Sequence, residues 1–488
     1  MRKISLLLPL FVLLVSCKKE QTKQVKSVDN DINAIENGLL KEIQVKGDTP
    51  ELFNLEERMK VHNVPGVSIA VIENGKLKWA KGYGIANTNT NQKVDVNTLF
   101  QAGSISKPIA ALAALKLVDE GKLNLDEDVS KHLKSWKVPD SKFTDTEKVT
   151  LRRLLTHTAG MTVHGFPGYT QKDSFPSINT VLNGKGNTPA IFVDTTPGSM
   201  WRYSGGGYTV MEKIVEDMTG LSLEDYMAEY ILPQMDMTNS TYSQPLKESM
   251  QNNVSAAYYG DGKIIEGLWH NYPEQAAAGL WTTPSDLAKY LIEIHNIYEN
   301  GVEGVLSKKM VTQMLTKDKN NWGLGPSLRE NNNALIFGHG GKNAGFTNDM
   351  MAFAKSGDGV IVMTSADNGG RLIGEVLRSV SKYYDWGTHN PREVNIIQIP
   401  NDELEKYTGK YLLDFQVPDI GNYIIDVTIV DGKIRAVDPD NEINLFSPTE
   451  KTKFIDLDKG DRVEVKTDDK GSISFLLNGQ YNFNKINE

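Results

Sequence analysis

Residues 108–118, PIAALAALKLV, put apolar side chains on nearly every face of a helix. Such a helix has no polar side to offer water, so it must be enclosed all round. Enclosing it takes a large body. With 488 residues, 39% hydrophobic and 24% charged, the chain is globular in composition and long enough for more than one domain. Lys plus Arg number 53 against 62 Asp plus Glu, a net charge of −9, with no long basic cluster. Nucleic acid is therefore not an expected partner, because neutralising phosphates needs a concentrated basic face. A small-molecule or peptide substrate is expected instead.

Arg2 and Lys3 precede an apolar run from Leu6 to Val15, interrupted only by Pro9. The run is too short for the ~20 residues of a spanning helix and reads as a signal peptide over residues 1–16. It ends in Leu14-Val15-Ser16-Cys17, and Cys17 is the only cysteine, so no disulfide can form within the chain. Small residues before a cysteine at this point resemble the lipobox of bacterial lipoproteins. The resemblance implies lipidation at Cys17 and an envelope protein, periplasmic or surface-exposed, held to a membrane by that anchor. Residues 17–31 lack aromatic and nearly all large apolar side chains, and read as a flexible tether.

Helical repeats are expected from Ile32 to Lys60. Val67 to Ile72 then opens a strand pair turned at Asn74-Gly75. Long helical patterns at Pro108–Glu120, Thr209–Met218, Ser285–Tyr298 and Arg371–Tyr384 alternate with short strands, without a repeating βαβ unit. Residues 32–390 therefore read as one α/β domain. Beyond the Pro-bounded segment 390–400 the pattern changes to short alternating strands turned at Asp431-Gly432, Asp458-Lys459-Gly460, Asp469-Lys470-Gly471 and Asn478-Gly479. Residues 401–488 are thus expected to form a small all-β barrel, a form that closes its own edges.

Ser104-Ile105-Ser106-Lys107 sits at the mouth of the enclosed helix. Ser-x-x-Lys alone is weak, since Ser16–Lys19 and Ser379–Lys382 repeat it. Its position adds the chemistry. On a helix, residues three apart share a face, so Lys107 can reach Ser104, and the helix N-terminus supplies N–H groups for an oxyanion. The lysine can act as a base near neutrality only if its pKa falls from ~10.4. Two further segments are dense in glycine: Trp201-Arg202-Tyr203-Ser204-Gly205-Gly206-Gly207 before a helix, and His339-Gly340-Gly341-Lys342 between two strand patterns. No His-Glu-x-x-His, Cys/His cluster or Ca²⁺ loop occurs, so neither a metal nor a cofactor is expected.

The order Ser104-x-x-Lys107, Tyr203-x-Gly205, His339-Gly340-Gly341 resembles the three active-site motifs of class C β-lactamase-related serine hydrolases, which share the penicillin-binding-protein fold. The segments PGVSIAVIENGKLKWAKGYG, VTLRRLLTHTAGM, PGSMWRYSGGGY and AAAGLWTTPSDLAKY are similar to that family in the same order, over roughly residues 50–385. The terminal β domain resembles the lipocalin-like domain appended to some penicillin-recognising peptidases. The implied fold is an antiparallel sheet flanked by helices, with a helical cluster and then the barrel.

The resemblance makes Ser104 the nucleophile of an acyl-enzyme, with Lys107 and Tyr203 sharing the acid and base work and positive Lys107 lowering the Tyr203 pKa. It places His339 on an edge strand lining the cleft and gives the oxyanion hole to the backbone N–H groups of Ser104 and Lys342. His164, Trp201 and Glu274 are expected to line the cleft, as are Phe166 and Trp281, while His157 reads as framework. Gly205 stands where the family commonly has Asn, and His339-Gly340-Gly341 where it has Lys-Thr-Gly. An amide donor and a fixed cation are therefore missing. These departures weaken the case for β-lactam hydrolysis and favour peptidase or esterase relatives. Cleavage of an amide or peptide bond, such as that of a D-amino-acid peptide, ranks first, ester cleavage second and β-lactam hydrolysis third. A non-catalytic surface binder is the reading outside enzymology.

Overall fold

The structure, a computed structural model, describes residues 27–417 and 421–486. The expected signal peptide, Cys17 and most of the expected tether lie outside the described residues. Residues 28–31, read as the end of that tether, instead begin a helix, α1 (Val28–Glu36). Ser27 caps it by accepting from the N–H of Asn30, and two aspartates occupy its first turn, where the helix dipole favours anions.

Seven strands form an antiparallel sheet: β1 (Gly66–Glu73), β2 (Lys76–Asn87), β3 (Gln92–Lys93), β4 (Ser327–Asn331), β5 (Ala334–Asn343), β6 (Phe346–Phe353) and β7 (Gly359–Thr364). Their spatial order is β3-β2-β1-β7-β6-β5-β4. The β1–β2 turn is Asn74-Gly75, both at positive φ (52° and 69°), as a two-residue hairpin requires. β1 is apolar except for Ser68 and the terminal Glu73, because both of its faces are covered. Val67, Ile69 and Val71 face a rear core shared with α1 and α6 (Gly370–Tyr383), while Ala70 and Ile72 face the larger front core.

The enclosed helix lies in that front core as α2 (Ser106–Asp119), and Ile109 to Leu115 are all at zero exposure. It packs against α3 (Gly205–Thr219) and the single turn α4 (Gln275–Ala278). Another helix, α5 (Pro284–His295), is capped by Thr283 and lies on β1 and β7. α3 starts four residues before its apolar pattern because Ser204 accepts from the Gly207 N–H at 2.9 Å, which draws the glycines into the first turn.

Downstream, eight strands from Gly409–Leu413 to Tyr481–Ile486 close into an antiparallel barrel with its own core. A short helix, α7 (Asn401–Glu405), brings Leu404 and Tyr407 into that core.

Candidate active site

Ser104 lies in one 3₁₀ turn, Gly103–Ile105, that runs straight into α2. The turn is tied from several sides. The Ala102 N–H donates to the Leu280 carbonyl at 2.8 Å. The Ser106 hydroxyl donates to the Gly103 carbonyl at 2.6 Å and accepts from the Leu280 N–H at 3.0 Å. Gly103 has φ 56°, a conformation that leaves no cost only for glycine, and a Cβ there would lie 2.5 Å from the Lys342 nitrogen.

Lys107 is 2% exposed. Its Nζ lies 3.0 Å from Ser104 Oγ and donates to the Ala277 carbonyl at 2.8 Å. Burial lowers its pKa to about 7, since an ammonium loses its hydration there. A neutral amine held by one N–H to Ala277 turns its lone pair to the serine hydroxyl. That is the arrangement of a general base.

Tyr203 is fixed from the segments around it. The Ser204 N–H donates to Nδ1 of His157 at 3.1 Å, and the His157 ring packs on the Tyr203 ring with centroids 4.2 Å apart. The phenol shares a hydrogen bond with the Ser104 side chain, yet burial raises its pKa rather than lowering it. The expectation that Lys107 would make Tyr203 acidic is therefore corrected. An enclosed phenolate would be poorly solvated, and that cost outweighs the help of the hydrogen bond from Ser104. Tyr203 is a neutral phenol that can donate.

His339 departs from its expected setting in one respect. β5 is not the sheet's edge strand, because β4 pairs with it from Ala334 to Gly338. The pairing stops there, so the half from His339 to Asn343 presents an open edge. The hairpin closed by Asn343 and Phe346 makes Lys342 and Thr347 a non-hydrogen-bonded pair, which turns the Lys342 N–H to that edge, toward Gly103. The Lys342 side chain is exposed, and Gly340 shares its face, toward Asp349 and opposite to His339. Gly341 is buried against Ala102, where a Cβ would meet the carbonyl oxygen at 1.9 Å.

The imidazole of His339 donates from Nδ1 to the Gly340 carbonyl, so Nε2 carries a lone pair, and that buried atom has no partner among the described residues. Burial, aided by Lys107, lowers the pKa to about 3. His339 is thus a neutral acceptor. Its ring centroid is 6.1 Å from that of Tyr203 and 5.3 Å from that of Trp322.

Trp201 and Trp322 complete an aromatic wall, 5.5 Å apart, and the exposed His164 ring stands 5.0 Å from Tyr203. Phe166 and Gly205 pack on each other beside them. Two expected cleft residues are elsewhere. Glu274 has zero exposure, lies near Tyr169 and Tyr272, and has its pKa pushed up to about 8 by burial. Trp281 is wholly buried, edge-on to Trp269 and Phe346, because its short strand pairs with Phe100–Gln101 under the site. Sequence reasoning missed Trp322, Ala277 and Glu212. Only Trp322, set before a Gly-Leu-Gly turn, carried any local signal.

The chain is 26% identical over 320 residues to protein flp of Staphylococcus aureus strain MRSA252, covering 64% of this chain and 62% of that relative. It thus spans less than two thirds of that relative's length. It is also 26% identical over 269 residues to a teichoic acid D-alanine hydrolase of Staphylococcus aureus, covering 55% of this chain and 63% of the relative. The octameric penicillin-binding protein homologue from Pyrococcus abyssi has a similar fold over 88% of this chain and 98% of its own, with a TM-score of 0.61 at 23% identity. Residues 54–377, more than half of the chain, match the family model described as Beta-lactamase, and the chain therefore belongs to that family of serine hydrolases.

Proposed function

We propose that this protein hydrolyses an amide or ester of a D-amino acid whose α-ammonium is free, through an acyl-enzyme on Ser104. The observation that carries the reading is the Lys107 Nζ at 3.0 Å from Ser104 Oγ, buried and drawn to a pKa of about 7. In this reading Ser104 attacks the carbonyl as its proton passes to Lys107. The N–H groups of Ser104 and Lys342 hold the oxyanion. The Tyr203 phenol gives its proton to the leaving group and takes back the one held by Lys107, so no phenolate remains. Water then attacks the acyl carbonyl and gives its proton to Lys107, Ser104 leaves with one from Tyr203, and Lys107 again restores the phenol.

Support for the substrate class comes from His339. A fixed cation at this position would attract a carboxylate and repel an ammonium. A neutral Nε2 lone pair beside the Tyr203 and Trp322 rings does the reverse, accepting a hydrogen bond and offering π faces to positive charge. The D-alanine in the name of the Staphylococcus aureus relative supports a D-amino-acid substrate. An envelope location, with lipidation at Cys17, belongs to the same proposal.

The test combines labelling with substrate comparison. Wild type should react with a fluorophosphonate while Ser104→Ala does not. D-alanyl p-nitroanilide and D-alanine methyl ester should be cleaved at least about tenfold better than their N-acetyl forms, the scale of one lost charged hydrogen bond. His339→Lys should shrink that preference. Equal turnover of free and acetylated substrates, or nitrocefin as the fastest substrate, would sink the reading.

A further inference from the structure

We propose that Glu212 is a positioning residue for the lysine base: from α3 it pins the α4 turn whose Ala277 carbonyl orients Lys107. The inference rests on the catalytic reading of Ser104 and Lys107 given above.

Glu212 is 1% exposed and lies on the helix that begins just after Tyr203. Its Oε2 accepts from the Ala276 N–H at 2.7 Å, and the carboxyl also meets the Gln275 N–H. One residue further on, the Ala277 carbonyl receives Lys107 Nζ. The next carbonyl, of Ala278, receives the Asn343 amide from β5 at 3.0 Å, and Leu280 holds the Ser104 turn through Ser106 and Ala102. This single turn is therefore the junction of the nucleophile, the base and the oxyanion strand. Glu212 fastens it to the helix of the phenol.

A helix of one turn cannot satisfy its leading N–H groups internally, and a buried acceptor from a neighbouring helix supplies what solvent cannot. The titratable groups around Glu212 are Glu216 on its own helix, Glu274 before α4, Tyr242 opposite, and Lys107 across the turn. Glu216 is engaged by Lys213. No cation pairs with Glu212 among the described residues, and burial, with Glu216 beside it, pushes its pKa up, which favours the neutral acid. An ionised carboxylate on this helix would favour the charged form of a lysine across the turn. The neutral acid orients the amine without charging it.

The experiment measures the pH dependence of fluorophosphonate labelling of Ser104, with melting temperature alongside, in the full chain and in Glu212→Leu, Glu212→Asp and Glu212→Gln. Glutamine keeps an acceptor within reach of Ala276 and should retain most of the wild-type rate and its acid limb. Leucine fills the volume without an acceptor, and aspartate falls one methylene short. Both should label at least about tenfold more slowly, the scale expected for a misplaced catalytic group. Their acid limb should move upward as water reaches Lys107, with probe affinity changed little. Should Glu212→Leu fail to fold, the aspartate variant decides. Wild-type rate and acid limb in the aspartate variant, or in a folded leucine variant, would overturn the proposal, as would a glutamine variant no better than leucine. If wild type itself fails to label, the catalytic reading falls and takes this inference with it, whereas the outcomes above overturn the inference alone.

Discussion

At the scale of single residues, the site works by removing charge. Lys107, His157 and His339 are all buried among aromatic rings, and burial drives each toward its neutral form. For Lys107 this has a cost in stability with a definite sign. Its folded pKa of about 7 lies below the ordinary 10.5, so between those values the unfolded chain binds the extra proton and stability rises with pH. Replacing the lysine by an apolar side chain of similar length removes that cost. Lys107→Met should abolish fluorophosphonate labelling and raise the melting temperature by at least about 3 °C at or below pH 7. The gain should shrink toward pH 10. A variant with unchanged or lower stability at pH 6 would show that the amine is not held under strain. The Ser-x-x-Lys spacing repeats at Ser379–Lys382, where the lysine ends an amphipathic helix, and only burial distinguishes the two. The apolar flanks of PIAALAALKLV made that burial legible. The raised pKa of Tyr203 was not, because it depends on how tightly distant segments close over the ring.

At the scale of elements, the open half of β5 brings the Lys342 N–H to the Ser104 turn, where the proposed mechanism puts the oxyanion. Gly341 packs so closely on Ala102 that no side chain fits, which brings the N–H of Lys342 to the Ser104 turn. Gly341→Ala should push the strand away from that turn. Losing one oxyanion donor lowers turnover by about 10²–10³-fold, and overpacking costs about 1–3 kcal/mol. A fall in kcat with KM nearly kept, together with a lower melting temperature, is the expected result. Near wild-type turnover would mean that the oxyanion is held elsewhere. The His339-Gly340-Gly341 run and its flanking strands were readable from hydrophobic alternation. The place where β4 stops pairing was not, because register between strands far apart in space is fixed by tertiary packing rather than by either strand's own sequence. α3 gives the same lesson: its glycine-rich start reads as a loop until Ser204 is seen to cap it and segment 162–166 to cover it.

At the scale of the whole molecule, the two bodies keep separate cores and meet through few contacts. Ile43–Val45, just after α1, pairs in parallel with Arg392–Val394, Lys41 forms an ion pair with Asp458 at 2.5 Å, and the Ile397 N–H donates to the Pro448 carbonyl at 3.0 Å. A cleft of about 610 Å³ between Arg392, Val394 and the barrel strands leaves part of that seam unpacked. All of these contacts start from segments adjoining α1 and α6, behind the sheet, whereas Ser104 lies in the front core. The change from helical to short alternating patterns after residue 390 announced the second body. Its attachment could not be read, because the partner strand at residue 43 lies within a stretch that reads as helical. A chain ended after Asn395 keeps the Arg392–Val394 strand and both cores of the first body, so it should fold and melt cooperatively. Its kcat/KM on a substrate as small as D-alanyl p-nitroanilide should stay within about threefold of the full chain, since no barrel residue adjoins the nucleophile, base or oxyanion strand. A drop beyond about tenfold in a well-folded truncation would show that the barrel reaches the front of the sheet and takes part in binding even the smallest substrates.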